Sequence, residues 1–149
     1  KWGFDGQRVR GMQNPTMVNL SNGVTLLGYD LPRTVVRPGE TLPVTLYWKT
    51  AQPLAVDYST FAHVVAPDFY VLAQQDNAHP GRYPTTRWGT DEYNRDVHEI
   101  PIPPGVPPGT YQLAVGMYSP FTGERLPVLS SVPGAEVGAV LLAPVQVIP

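Results

Sequence analysis

From Tyr111 to Tyr118 the chain alternates: Tyr111, Leu113, Val115 and Met117 fall on one face of an extended strand, and Gln112, Ala114, Gly116 and Tyr118 on the other. Successive strand side chains point to opposite faces, so this period of two predicts a half-buried strand. Pro107-Pro108-Gly109 directly before it reverses the chain. A Tyr just after such a turn suits a tyrosine corner, with the ring in the core and the hydroxyl bonded to upstream backbone. A core Tyr with its hydroxyl in water fits the same pattern, and either use makes Tyr111 structural.

The same period recurs along the chain. Val18-Asn19-Leu20 and residues 24–29 read as two short strands joined by Ser21-Asn22-Gly23, an Asn-Gly hairpin turn. Arg37-Pro38-Gly39-Glu40 has Pro and Gly at the central positions, as a type II turn demands. It feeds a strand with Leu42, Val44, Leu46 and Trp48 on one face and Pro43, Thr45, Tyr47 and Lys49 opposite. Trp48 carries the largest apolar payload of that strand and is assigned to the core. Residues 57–66 form the next strand, with Phe61, His63 and Val65 on one side, and Pro67-Asp68 turns it into a partner over 70–75. Residues 97–102 alternate with His98, Ile100 and Ile102 on one side. Residues 119–124 are a Gly-containing hairpin loop, 125–129 a short return strand and 139–148 the last strand.

No stretch keeps a 3.6-residue period over a helical length. About eight or nine strands and no long helix predict an all-β, Ig-like Greek-key sandwich of two antiparallel sheets, with a closed β-barrel as the alternative. The sandwich is expected over residues 18–149. Residues 1–17 lack periodicity and read as an N-terminal extension or linker, although Trp2, Phe4 and Met12 offer apolar groups to dock on it.

Composition narrows the classes. A chain of 149 residues is one domain's worth. With no Cys there is no disulfide framework, thiolate metal site or cysteine nucleophile. Lys and Arg number 10 against 12 Asp and Glu, a formal charge of −2, so nothing points to nucleic acid or an anionic membrane as partner. The 18 Pro and 14 Gly sit between apolar runs as strand punctuation. No run reaches the roughly 18 apolar residues of a membrane span, so no direct membrane insertion by this fragment is expected. The start, Lys1-Trp2-Gly3-Phe4, is unlike a signal peptide and has no initiator Met, which suggests a piece of a longer protein.

Catalytic motifs are missing: no Gly-x-Ser-x-Gly elbow, Gly-x-Gly-x-x-Gly or phosphate loop, His-Glu-x-x-His or EF-hand loop. No catalytic residue, cofactor or metal is assigned. Zinc would require His63, His79 and His98 to converge with a carboxylate; His63 and His98 read instead as hydrogen-bonded structural imidazoles. Asp91, Glu92, Asp96 and Glu99 are the one acidic cluster able to supply a glycosidase pair, and a solvated rim is the alternative. Asn19-Leu20-Ser21 fits the glycosylation sequon.

Residues 76–94 form the long irregular stretch, about nineteen residues, and loops of that length are usually functional or pinned by their own side chains. Within it, Tyr83 and Trp88 could stack on a sugar or proline ring while Arg82, Arg87 and Asp91 fix hydroxyls or a phosphate. Alternatively, Tyr83 and Trp88 are the loop's own anchors against the sandwich.

Several of these stretches, taken together, carry a resemblance. They are the run from Gly23 to Tyr29, Arg37-Pro38-Gly39-Glu40, Leu46-Tyr47-Trp48, Phe61-Ala62-His63-Val64, Gly81-Arg82-Tyr83-Pro84-Thr85, Pro108-Gly109-Thr110-Tyr111 and Gly116-Met117-Tyr118. In this order they resemble the soluble domain that ends many bacterial multi-spanning glycosyltransferases of the dolichyl-phosphate-mannose, family 39-like type. The resemblance covers about residues 18–148 and departs from the pattern at Gly89-Thr90-Asp91-Glu92-Tyr93-Asn94, where a Pro-Gly-Glu-type turn is usual. It implies a C-terminal, non-catalytic accessory module on the extracytoplasmic face of a bacterial cell membrane. Catalysis would reside in the membrane-embedded remainder of the parent chain, the partner this module packs on or serves by positioning acceptor. A carbohydrate-binding or adhesion module using Tyr83, Trp88 and Tyr93, with a glycan or lipid-linked sugar as ligand, is the alternative. A glycoside hydrolase is a remote third.

Overall fold

Turn chemistry sets the register of the first strands. Asn22 (φ 62°) and Gly23 (φ 78°) are both left-handed, which makes the Asn-Gly connection a type I′-like turn matched to the strand twist. It joins β1 (Asn14–Asn19) to β2 (Val24–Asp30), pairing Val18 with Leu26 and Asn19 with Thr25. The computed structural model describes residues 12–149, so Trp2 and Phe4 lie outside the described residues. Strand β1 begins at Asn14, inside the stretch read as an extension: Gln13 ties it down by donating its backbone N–H to Asp30 at 2.6 Å and accepting from the Leu31 N–H at 3.0 Å. Met12 packs on Leu27 and Tyr47.

The remaining strands are β3 (Val35–Val36), β4 (Thr41–Thr50), β5 (Ser59–Val65), β6 (Val71–Asn77), β7 (Asn94–Pro101), β8 (Gly109–Tyr118) and β9 (Val140–Val147). Gly39 (φ 89°) occupies the position of the type II turn before β4 that requires positive φ, and Glu40 N–H closes it on the Arg37 carbonyl at 3.1 Å. The strands form a four-stranded sheet ordered β1-β2-β4-β7 and a five-stranded sheet ordered β3-β9-β8-β5-β6. The chain changes sheet after β2, β3, β4, β6 and β7, the Greek-key winding of an Ig-like sandwich. Every ladder is antiparallel except β3 on β9, where Val35 faces Gln146 and Val36 faces Val147 in parallel. A segment that enters a sheet by crossover and not by hairpin is free to pair this way. Residues 125–129 do not form a strand. Leu126 N–H bonds the Met117 carbonyl of one sheet, while the Pro127 carbonyl and Leu129 N–H reach Ser21 and Asn19 beside the other, so the segment bridges two edges.

The interior between the sheets is apolar: Leu26, Leu46, Trp48, Ile100, Leu113, Val115, Met117 and Val145 are all fully buried. Tyr111 packs at its margin and donates its hydroxyl to the Pro107 carbonyl at 2.6 Å, the geometry of a tyrosine corner. The outer face of β8 is also covered, because Phe61, Val65, Ala114 and Ala139 form a second cluster there.

One polar network is sealed within this apolar interior. The alternation of β7 begins three residues before Val97, so Asn94, Asp96, His98 and Ile100 all point inward. Asp96, expected from the sequence in either a glycosidase pair or a solvated acidic rim, is completely buried. Its Oδ2 accepts from Trp48 Nε1 at 3.0 Å, Thr60 Oγ1 at 2.7 Å and His98 Nε2 at 2.9 Å, and Oδ1 accepts from Asn77 Nδ2 at 2.7 Å. His98 Nδ1 faces the Gln75 backbone and side-chain oxygens at 3.0 and 2.6 Å. The network therefore links β4, β5, β6 and β7 across both sheets. Burial alone would raise the Asp96 pKa, but His98, Asn77 and Thr60 together hold it below the usual carboxylate value.

Candidate functional site

The β6–β7 connection is ordered because its own side chains tie it to the sandwich. Thr85 is fully buried, donates its hydroxyl to the Val56 carbonyl at 2.7 Å and accepts the Tyr58 N–H at 2.9 Å. Thr86 donates its hydroxyl to Asp57 at 2.6 Å, and that bond lowers the Asp57 pKa from its ordinary value. Lys49 Nζ reaches the Thr90 carbonyl at 2.6 Å. Trp88 is the anchor: it is 4% exposed, belongs to the main core and donates Nε1 to the Pro80 carbonyl at 3.2 Å. Trp88 is thus packed into the interior and presents no exposed ring face at the surface of the loop.

Tyr83 does the opposite. It stays 56% exposed at the lip of an open cleft of about 400 Å³ between the loop and the start of β7. Tyr93 forms another part of the wall, its ring 5.9 Å from that of Tyr47 and tilted by 52°. Tyr47 in turn donates its hydroxyl to Asp30 at 2.6 Å; burial, reinforced by Asp30, raises its pKa, and Arg95 opposes the rise. The back of the cleft thus stands on a fixed aromatic pair. Arg82, Glu92 and Arg95 supply charged groups of both signs around it.

Two features mark this cleft as costly to build. Arg82 has φ 87°, a conformation that side chains with a Cβ adopt at a cost on the order of 1–3 kcal/mol. It follows Gly81 (φ 72°), whose position lies so close to β7 that an added Cβ would sit 2.8 Å from that of Asn94. The strained turn is thereby pressed onto the strand, with Arg82 N–H bonded to the His79 carbonyl at 3.1 Å. Asn94, 8% exposed and part of the cleft wall, has a buried side-chain nitrogen with no hydrogen-bond partner in the protein. Orphaned amides of this kind are uncommon and ask for a reason.

Of the five residues proposed from the sequence, the cleft brings together Arg82 and Tyr83. Arg87 is exposed on the Asp57 side of the loop, Trp88 is interior, and Asp91 is exposed beside Gly89, outside the cleft. Glu92, the next residue, does line the cleft, and its Oε1 accepts the Gly89 N–H at 3.2 Å. Asn94 and Arg95 are not among the residues proposed from the sequence; extending the β7 alternation three residues back places Asn94 inward and Arg95 outward. Within the acidic cluster Asp96 points inward and Glu99 outward from the same strand, while the Asp91 and Glu92 carboxylates both lie beside Gly89. Trp48 is core, and His63 is buried against Phe61 with Nε2 3.6 Å from Asp76. Among the described residues no three His, Cys, Asp or Glu side chains converge as metal ligands, and no helix is long and apolar enough to cross a membrane.

No protein-family model matches the chain, and no curated protein matches its sequence. Among solved structures it is similar to a Niemann-Pick type C2 protein from Japanese carpenter ant, with 8% identity, TM-score 0.51, and coverage of 95% of this chain and 100% of that one. It is also similar to the C-terminal domain of wzt, with 8% identity, TM-score 0.48, and coverage of 93% and 81%. At such identity the first likeness speaks to the fold, an all-β sandwich, and fold does not fix function.

Proposed function

We propose that this domain is a non-catalytic carbohydrate-recognition module whose site is the cleft between the 81–83 turn and the start of β7. The observation that carries the reading is Tyr83, an exposed aromatic held at the lip of a concavity by a strained, anchored turn. Sugars present an apolar C–H face and a rim of hydroxyls. A tyrosine face with charged donors and acceptors beside it is the complement of that surface. Arg82 and Arg95 donate to hydroxyl oxygens, and Glu92 accepts from hydroxyl protons. Because Trp88, Thr85 and Thr86 already hold the loop, binding would lose little ordering entropy.

The ordered sequence motifs support an address for such a module: the extracytoplasmic end of a membrane-bound, glycosyltransferase-like protein. There a sugar cleft on an accessory domain would hold a glycan or lipid-linked acceptor while membrane-embedded parts of the parent chain do the chemistry. A screen of neutral glycans and lipid-linked sugars against this domain, with Tyr83→Ala beside it, tests the reading. Saturable binding that falls at least about tenfold in a Tyr83→Ala protein of unchanged melting temperature is expected. Absence of binding across the screen, or binding indifferent to Tyr83→Ala, refutes it.

A further inference from the structure

A second concavity, of about 240 Å³, lies on the outer face of the five-stranded sheet, between β6 and the 119–124 loop. Its residues are not shared with the Tyr83 cleft. Arg125 sits in its wall with the guanidinium carbon 4.2 Å from the centroid of Phe61. One terminal nitrogen donates to the Val137 carbonyl at 3.0 Å. Among the described residues the basic and acidic side chains that approach within 4.0 Å are His63 with Asp76 and His98 with Asp96, so no carboxylate closes on Arg125. A guanidinium has five N–H donors in a rigid fork, and most of this fork is unused. Asp76, the acid lining the same concavity, is engaged elsewhere: Oδ2 accepts from Tyr118 at 2.8 Å and Oδ1 faces His63 at 3.6 Å. Desolvation would raise the Asp76 pKa, but His63 and Tyr118 together hold it down. Gln74, two residues earlier on the same outward face of β6, adds an amide to the wall.

We propose that this concavity is a second ligand site, which takes a carboxylate or phosphate oxygen pair on the Arg125 fork with the Gln74 amide beside it. Phe61 fixes the plane from which the fork is presented. Tyr118 and His63 hold the Asp76 carboxylate, whose charge acts on Arg125 without closing on the fork. Planar oxygen pairs meet a guanidinium through two parallel hydrogen bonds, which a lysine cannot reproduce.

Two-dimensional ¹H–¹⁵N NMR titrations at constant ionic strength test this, with sodium acetate, inorganic phosphate and D-glucuronate as probes and D-glucose as the neutral control. Acetate or phosphate should shift amides of residues 61–63, 74–76 and 123–125 saturably, while glucose leaves them in place. Arg125→Gln should abolish the shifts, and Arg125→Lys, which keeps the charge and the stem, should weaken binding at least about fivefold. Tyr83→Ala should leave this site unchanged, so failure here and failure of the sugar cleft are read separately. Glucuronate binding about tenfold tighter than acetate would identify an acidic sugar as the source of the carboxylate; equal affinity would assign the site to the oxyanion alone. No saturable shift from any anion overturns the proposal, as does binding that Arg125→Lys leaves intact. Should Arg125→Gln fail to fold, the Lys variant decides the matter.

Discussion

Replacing Asp96 by Asn tests the sealed network most severely, because the change is nearly isosteric and alters only charge and hydrogen-bonding sense. Four donors converge on this carboxylate, from Trp48, Thr60, His98 and Asn77, and the residue has no exposure. An asparagine keeps one acceptor oxygen and turns the other position into a donor aimed at groups that themselves donate. Taking the charge from a buried carboxylate on which four donors converge costs about 3–5 kcal/mol, against about 5–15 kcal/mol for the whole stability of a domain. With a urea m-value of about 2 kcal/mol/M, the unfolding midpoint should fall by about 2 M. His98→Gln should cost much less in the Asp96→Asn background than in the wild type, since the pair is lost once. The pH dependence has a definite sign. The folded Asp96 pKa lies below its unfolded value, so its contribution is complete above about pH 3.9 and disappears as pH falls through the folded value. The gap between wild type and Asp96→Asn should therefore narrow in acid. A midpoint shift worth less than about 1 kcal/mol at pH 7 would put Asp96 with exposed, weakly coupled carboxylates and refute the reasoning.

Trp88→Ala should cost about 3–5 kcal/mol in urea unfolding and expose the 76–94 loop to proteolysis; a cost near zero would remove its anchoring role. Gly116→Ala places a Cβ 2.5 Å from the Phe61 ring and should lower stability by about 1–3 kcal/mol, read as a drop in melting temperature, whereas an unchanged melt would mean that the outer cluster is loosely packed. Tyr111→Phe removes one hydroxyl bond to Pro107 and should cost about 1 kcal/mol in the same assay.

The sandwich was legible because the sequence signals for it are local. Period-two apolar runs, the Asn22-Gly23 turn and the Pro38-Gly39 turn each fix a strand or a connection without knowledge of distant residues. The strand at Asn14–Asn19 is visible in the sequence only from Val18, since its first four residues put polar Asn14 and Thr16 on the inner side and apolar Met17 on the outer, and pair with β2 across a bulge. The Asp96 network was illegible for another reason. A carboxylate is tolerated in the interior only if donors arrive from other strands, and Trp48, Thr60 and Asn77 are far away in sequence. The long loop was recognisable as the place to look, yet the division between Trp88 inside and Tyr83 outside depends on backbone bends at Gly81 and Arg82 that composition does not encode. Arg125 drew no attention because its significance lies in what fails to approach it.

The central claim is that the anchored loop holds Tyr83 and the start of β7 as a sugar cleft. The most direct measurement is an ¹H–¹⁵N titration of the domain with the tightest neutral saccharide from the glycan screen, following backbone amides. The account predicts saturable shifts at residues 81–83 and 92–95, the turn and strand start that line the cleft. Saturable shifts confined to other surfaces, or none with any neutral saccharide up to about 10 mM, would contradict it.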